Sequence, residues 1–291
     1  MDFLKFEKWH GTGNDFIVYS EQATLAVTSD INALAVKMCD RHFGIGSDGL
    51  ILVGKSEQAD FRMRMWNPDG SESEMCGNGL RCVAAHLLKH GLIDSASSLK
   101  IETMKRTITV DFPDRPEWAD FGIPWVRLDM GAPVLERKDI PVSGDGPSPV
   151  INDDLKIPGH DIDLKFTAVN FGNPHAVVFT GDADSVPLDK WGPALENYTD
   201  LFPNRINIEF VQVIDPGHVK MRVWERGAGI TLSCGSGVTA VQAACYLTGN
   251  ASDRLRVDVP GGSLMTEFTE DSRVLLSGPA EFVFAGYWSK N

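Results

Sequence analysis

Two cysteines stand where they could move protons. Cys76 and Cys234 each open a Cys-Gly-x-Gly turn, Cys76-Gly77-Asn78-Gly79 and Cys234-Gly235-Ser236-Gly237, and lie 158 residues apart. Arg64 and Trp66 are answered by Arg222 and Trp224 at the same offset. A cysteine just ahead of a helix faces backbone N–H groups that have no intrahelical partner and the positive end of the helix dipole. Both favour the thiolate, so each thiol is expected to fall below the usual value of about 8.5. The neighbouring glycines let the backbone approach a ligand closely, and a carboxylate can settle on such N–H groups. A thiolate that takes a proton from carbon, opposed by a thiol that returns one, inverts a stereocentre. The pair therefore reads as a two-base racemase or epimerase site working by general acid–base catalysis. The α-proton of an amino acid is a far weaker acid than a thiol. Without a cofactor the carbanion must be stabilised by N–H donors on the carboxylate and by exclusion of water.

The elements that position these cysteines also occur twice. Leu80, Val83, Ala84, Leu87 and Leu88 follow helical spacing behind Cys76, and Val238, Val241, Ala244 and Cys245 follow it behind Cys234. Gly91 and Gly249, each 15 residues past its cysteine, supply the stops. Alternating apolar stretches at 61–66 and 219–224 predict a strand in front of each turn. Further upstream, the turn cluster His10-Gly11-Thr12-Gly13-Asn14-Asp15 leads into a strand at 16–19, and 169–175 leads into one at 176–179. Short helices carry Ile31, Leu34, Ala35 and Met38, capped by Ser29 or Asp30, and Leu188, Trp191 and Leu195. Strands follow at 50–53, 99–102 and 107–112 in the first half, and at 208–213, 255–259 and 264–268 in the second. Matching elements in matching order indicate a duplication. The expected architecture is α/β in the α+β sense: two pseudo-symmetric domains, each a mostly antiparallel sheet or barrel wrapped around its central helix, with an active site in the interdomain cleft. Residues 131–160, rich in Pro, Gly and Asp, read as crossover and surface loop rather than core; 115–124 reads as a hairpin insertion or long turn; 274–288 is strand-like.

Composition narrows the function classes. At 291 residues the chain can bury two cores. Lys+Arg 27 against Asp+Glu 40 gives a net charge of −13, which disfavours a nucleic-acid or anionic-membrane partner and leaves a small-molecule substrate or a protein partner. No segment approaches the ~20 apolar residues of a membrane span. Residues 1–10 lack the features of a signal peptide, so a cytoplasmic location is expected. Five cysteines, odd in number and without a Cys-x-x-Cys pair, fit free thiols rather than a disulfide framework or zinc ribbon. No Walker loop, dinucleotide-binding glycine pattern or His-Glu-x-x-His site is present, while a Schiff-base lysine for pyridoxal phosphate has no sequence signature and stays open at this point.

Other residues admit a plain reading. Cys39, Cys82 and Cys245 fit buried small hydrophobes. Asn14 and Asn173 fit turn positions that tolerate positive φ, and Asn67 the first residue of the Asn67-Pro68-Asp69-Gly70 turn. His175 fits a structural hydrogen-bond donor, as do His10 and His42, and Glu225-Arg226 a solvated pair.

Across its length the chain resembles the diaminopimelate epimerase family, of the proline-racemase superfamily. The likeness rests on His10-Gly11-Thr12-Gly13-Asn14-Asp15-Phe16, Asp40-Arg41-His42-Phe43-Gly44, Asn67-Pro68-Asp69-Gly70-Ser71, Met75-Cys76-Gly77-Asn78-Gly79-Leu80-Arg81-Cys82, Gly172-Asn173-Pro174-His175, and Glu225-Arg226-Gly227-Ala228-Gly229 leading to Cys234-Gly235-Ser236-Gly237. The resemblance implies conversion of LL-2,6-diaminopimelate to the meso form, without pyridoxal phosphate or metal, in the lysine and peptidoglycan route. It implies Cys76 and Cys234 as the acid/base pair, and backbone N–H groups at Gly77, Asn78, Gly235 and Ser236 on the reacting carboxylate. Asn14, Asn67, Asn173, Asn207, Glu225 and Arg226 would bind the amino groups and distal carboxylate, with His175 beside the site. It also returns the last strand to the first domain, giving 1–129 with 281–291, and 130–280; a homodimer is compatible with it. Ile230 stands where many members carry glutamate, and Gly49 where some place glutamine. Rival readings are a sister racemase acting on proline, hydroxyproline or histidine, a thiol oxidoreductase using Cys76 and Cys234, and an amino-acid-binding module. A substrate panel separates them.

Overall fold

A computed structural model describes residues 3–26 and 28–289, which divide into two compact units: Met1–Leu128 with Ser277–Asn291, and Asp129–Leu276. The first unit runs β1 (Phe3–Gly11), β2 (Asn14–Ser20), α1 (Glu21–Leu25), α2 (Ile31–Cys39), β3 (Gly49–Gly54), β4 (Phe61–Trp66), β5 (Glu72–Ser73), α3 (Gly77–Lys89), β6 (Leu99–Glu102) and β7 (Thr107–Asp111), and leaves through β8 (Trp125–Gly131). The second runs β9 (Asp153–Lys156), β10 (Asp163–Asn170), β11 (Pro174–Phe179), α4 (Leu188–Glu196), β12 (Asn207–Asp215), β13 (His218–Glu225), β14 (Gly229–Ile230), α5 (Gly235–Thr248), β15 (Arg254–Val259) and β16 (Gly262–Phe268), and ends in β17 (Val274–Pro279). The closing strand β18 (Glu281–Ser289) pairs antiparallel with β1 in the first unit.

The duplication is visible pair by pair. β1–β2 and β10–β11 are antiparallel; β2–β3 and β11–β12 are parallel, with Phe16 opposite Gly49 and His175 opposite Asn207. β3–β4 and β12–β13 are antiparallel, placing Ile51 opposite Met65 and Glu209 opposite Val223. β4–β6 and β13–β15 are parallel, and β6–β7 and β15–β16 close antiparallel. Within its unit α3 packs on β1, β2, β4 and β18, and α5 on β10, β11, β12 and β16. Both helices are therefore lined by core on most sides: Leu80, Cys82, Val83, Ala84 and Leu87 of α3, and Val238, Ala240, Val241, Ala244 and Cys245 of α5, are buried. Burying such side chains contributes roughly 1.5–3 kcal/mol for each large one, and this, more than helix propensity, holds a glycine-led helix in place.

Several local expectations need adjusting. The turn in 10–15 shrinks to Thr12 and Gly13, both at positive φ, because His10-Gly11 and Asn14-Asp15 pair with each other as the ends of β1 and β2. Asn14 and Asn173 themselves do not adopt positive φ; Gly13 and Gly172 beside them do. Residues 131–160 are not a surface loop. Ile140, Val142, Val150, Leu155 and Ile157 lie in the second unit's core, and the segment includes a 3₁₀ turn (Arg137–Asp139) and β9. Its apolar residues are too irregularly spaced to show a period, yet these five are directed inward. Residues 115–124 carry no regular strand, and α1 has no counterpart in the expected elements. Among the described residues no helix is long and apolar enough to cross a membrane.

Candidate active site

Each cysteine ends an extended segment and caps a helix with its own sulfur. Cys76 (φ −142°, ψ 115°) accepts the Gly79 N–H at 3.4 Å, and Cys234 (φ −115°, ψ 109°) accepts the Gly237 N–H at 3.3 Å. The same cap in both units follows from the same sequence. The N-cap position needs extended dihedrals, which a residue leaving a strand already has, and a side-chain acceptor reaching the N3 N–H. At the far ends, Gly91 and Gly249 adopt the left-handed conformation that stops a helix.

Around Cys76 the structure gathers amides. Asn14 Oδ1 lies 3.9 Å from the sulfur and accepts from Asn78 Nδ2 at 3.2 Å. Asn14 is held in turn by Asp48, whose Oδ2 accepts its Nδ2 at 2.8 Å and the Asp15 N–H at 3.1 Å. Lys8 and Arg41 clamp Asp15, and Arg41 also reaches Asp48. Behind the cap is Arg81, fully buried, with Nε on the Pro279 carbonyl and Nη2 on Thr12 Oγ1, both at 3.2 Å. Burial pushes this guanidinium down to about 10, against the pull of Cys82 and Cys76. Asn67 is not drawn to the sulfur: its Nδ2 bonds Ser71 Oγ at 3.0 Å within its turn.

Around Cys234 the structure gathers acids. His175, fully buried, bonds Glu209 Oε1 through Nδ1 at 2.7 Å and Asn173 Oδ1 through Nε2 at 3.0 Å. Asn207 donates to the Pro174 carbonyl at 2.7 Å and accepts the Arg226 N–H at 2.9 Å, joining β11 to the loop after β13. Glu225 accepts from Thr231 and bonds the Cys234 thiol; burial pushes its carboxyl up, against both hydrogen bonds. Ser236 Oγ is 3.5 Å from the sulfur. The Arg226 side chain turns away to the Asn204 carbonyl at 2.8 Å.

The thiol of Cys234 contradicts the expectation of a lowered value. Burial first, then the carboxylates of Glu225 and Glu209, push it well above its usual range, and the Ser236 hydroxyl and Gly237 N–H only partly offset them. A helix N-terminus favours a thiolate by a fraction of a charge, whereas two nearby carboxylates and removal from water oppose it with full charges. Cys39, Cys82 and Cys245 are buried as expected, and burial raises all three thiols.

Three residues of consequence escape the sequence reading. Glu209 is the lone charge among the apolar residues Ile208, Phe210 and Val211, the one available signal. Asp48 supports Asn14. Glu196, buried on α4, accepts from Trp224 Nε1 at 2.6 Å and from the Gly227 N–H at 2.8 Å, anchoring the loop of Glu225 and Arg226. Gly49 has no room for a glutamine: a Cβ there would sit 2.8 Å from Met65 Cε and 3.0 Å from the Trp66 carbonyl. Ile230 is half exposed in β14 and makes no demand on the site. Glu7, His86 and His90 bring three potential metal-ligand atoms within 4.8 Å. Glu7, however, already accepts from Trp9, His86, Lys89 and His90, which reads as an ion-pair network.

The model of the family described as diaminopimelate epimerase matches residues 6–136 and 167–283. A diaminopimelate epimerase of Pelotomaculum thermopropionicum is 44% identical over 283 residues, covering 97% of this chain and 98% of that one. One of Desulforudis audaxviator is 45% identical over 287 residues, covering 98% and 99%. Among solved structures, a phenazine biosynthesis protein of the PhzF family from Bacillus anthracis aligns with a TM-score of 0.73 at 19% identity, covering 99% and 100% of the two chains. A hydroxyproline epimerase from Agrobacterium vitis aligns at 0.66 and 14%, covering 98% and 92%. These two likenesses show a shared fold. With a matched cap geometry at both cysteines and near full-length identity above two fifths, the chain belongs to the diaminopimelate epimerase family.

Proposed function

We propose that this chain converts LL-2,6-diaminopimelate to meso-diaminopimelate by two-base proton transfer at the α-carbon, with Cys76 and Cys234 as the acid/base pair. The observation that carries the reading is the duplicated cap: two thiols, each at the N-cap of a helix, beside the first-turn N–H groups that can hold a carboxylate. In this reading the N–H groups of Gly77, Asn78, Gly235 and Ser236 hold the reacting carboxylate and stabilise charge that develops on it in the transition state. Asn14, Asn67, Asn173, Asn207, Glu225 and Arg226 receive the two amino groups and the distal carboxylate. Arg226 can clasp that carboxylate with two parallel hydrogen bonds once it leaves the Asn204 carbonyl. His175 stands behind the Asn173 amide. The reaction requires the two sulfurs on opposite faces of one carbon, one as thiolate and one as thiol. The acids around Cys234 favour its thiol form, so it is the sulfur that supplies a proton first. The two epimerase halves are assigned to 1–129 with 281–291, and 130–280, and the chain is assigned to the cytoplasm with a small-molecule substrate.

The test is incubation of the reduced, metal-free protein with LL-diaminopimelate in D₂O, followed by NMR at the α-carbons. Meso product carrying deuterium at the inverted carbon is expected. Cys76→Ala and Cys234→Ala should each lose at least about a thousandfold in rate, since each removes one proton-transfer group. An inert parent chain would refute the substrate and turn the assay to proline, hydroxyproline and histidine.

A further inference from the structure

The two halves share a backbone but differ in what lies behind the sulfur. At 158 residues' offset Ile51 corresponds to Glu209, and in the paired register Phe16 corresponds to His175. In the first unit Ile51 and Phe16 are fully buried, and the Ile51 methyl packs beneath the Gly79 turn. In the second unit the same two places hold a carboxylate and an imidazole, both with fully buried side chains and 2.7 Å apart. Since the fold accepts a plain apolar pair at this position, stability does not call for the charged one. Burying a carboxylate is costly unless it is paired, and here Oε2 has no hydrogen-bond partner among the described residues. A residue retained against such a cost is a candidate for chemistry.

Its surroundings say what chemistry. A Cβ placed on Gly237 would lie 2.7 Å from Glu209 Oε1 and 3.3 Å from Cys234 Sγ, so carboxylate and sulfur flank the same small space at the first turn of α5. Through His175 the carboxylate also reaches Asn173. The charged groups bearing on Cys234 within its unit are Glu225 from β13 and Glu209 from β12, with His175 of β11 on the other side of Glu209. Resting on the epimerase reading above, we propose that Glu209 is a positioning residue for Cys234: it fixes the His175 ring by accepting the Nδ1 proton and places a negative charge behind the sulfur. The first effect aims Nε2 at Asn173. The second keeps Cys234 a thiol until substrate arrives, and the uncharged Ile51 leaves Cys76 without that constraint.

Three measurements test this. The first is the ultraviolet thiolate absorbance of Cys234, taken as the difference between Cys76→Ala and Cys76→Ala/Cys234→Ala, with and without Glu209→Gln. The titration midpoint should fall by about one pH unit, a tenfold gain in thiolate; an unmoved midpoint overturns the proposal. The second is ¹⁵N NMR of the His175 ring in the unaltered chain, where the proton belongs on Nδ1; a bare Nδ1 overturns it without any variant. The third is His175→Phe/Glu209→Ile, which rebuilds the pair of the other half. This variant should fold and lose most epimerisation through kcat, with KM within about twofold. Failure to fold, or activity near the parent's, would each overturn the assignment. The first two measurements need no substrate, so an enzyme inert on diaminopimelate would sink the epimerase reading while leaving them to stand or fall separately.

Discussion

Alanine at Gly237 and at Gly79 is the same substitution made in the two halves of one duplicated unit, and the structure separates their outcomes. Neither glycine has positive φ, so alanine is allowed by the backbone at both, and at each the helix gains about 1 kcal/mol in propensity. At Gly79 the new Cβ meets Ile51 Cδ1 at 2.9 Å, the far end of a side chain that can turn aside for roughly 1 kcal/mol, and the balance is near zero. At Gly237 it meets Glu209 Oε1 at 2.7 Å and Cys234 Cβ and Sγ at 3.3 Å. The carboxylate can yield only by giving up its 2.7 Å bond to His175, and a buried charged hydrogen bond is worth roughly 1.5–3 kcal/mol. Gly237→Ala should therefore be less stable than Gly79→Ala by about 1 kcal/mol, read as the difference between their urea-unfolding free energies. It should also epimerise far more slowly, because the sulfur and imidazole move together. Equal stability of the two variants would refute the reasoning, since it would show that Glu209 is not fixed where the carboxylate meets the turn.

Glu7 gives a pH-dependent case. Burial raises its carboxyl, but hydrogen bonds from Lys89, His86, Trp9 and His90 together outweigh this and hold it at about 2 against an ordinary 4.5. A lowered acid pKa stabilises the fold above the unfolded value and loses that stabilisation as pH falls from about 4.5 through about 2. The span corresponds to about 3 kcal/mol. Glu7→Gln should lose that amount at neutral pH and show a flatter acid limb in unfolding free energy measured against pH; an unchanged limb would refute it. Glu196→Ala frees both the Trp224 indole and the Gly227 N–H, so the loop of Glu225 and Arg226 should loosen. KM should rise by about tenfold with a smaller change in kcat, and an unchanged KM would show that the loop is held elsewhere.

The sequence alone was enough for the duplication, the strands flanking each turn, both cap cysteines and both helix stops. These are local properties: hydrophobic period, turn chemistry and a repeated spacing are written in neighbouring residues, and two copies of each signal removed the ambiguity of one. The amides at Asn14 and Asn78 were legible through the motif resemblance, and the structure places them beside Cys76. Tertiary structure decided the rest. Residues 131–160 became core because burial depends on what irregular backbone faces, which no period reports. The thiol of Cys234 moved opposite to expectation because the fold buries it and, secondly, brings Glu225 and Glu209 close to it through β13 and β12. Glu209 itself looked like one acid in an apolar strand; its meaning comes from Ile51 at the equivalent place, a comparison that becomes physical only when each half has folded into the same turn.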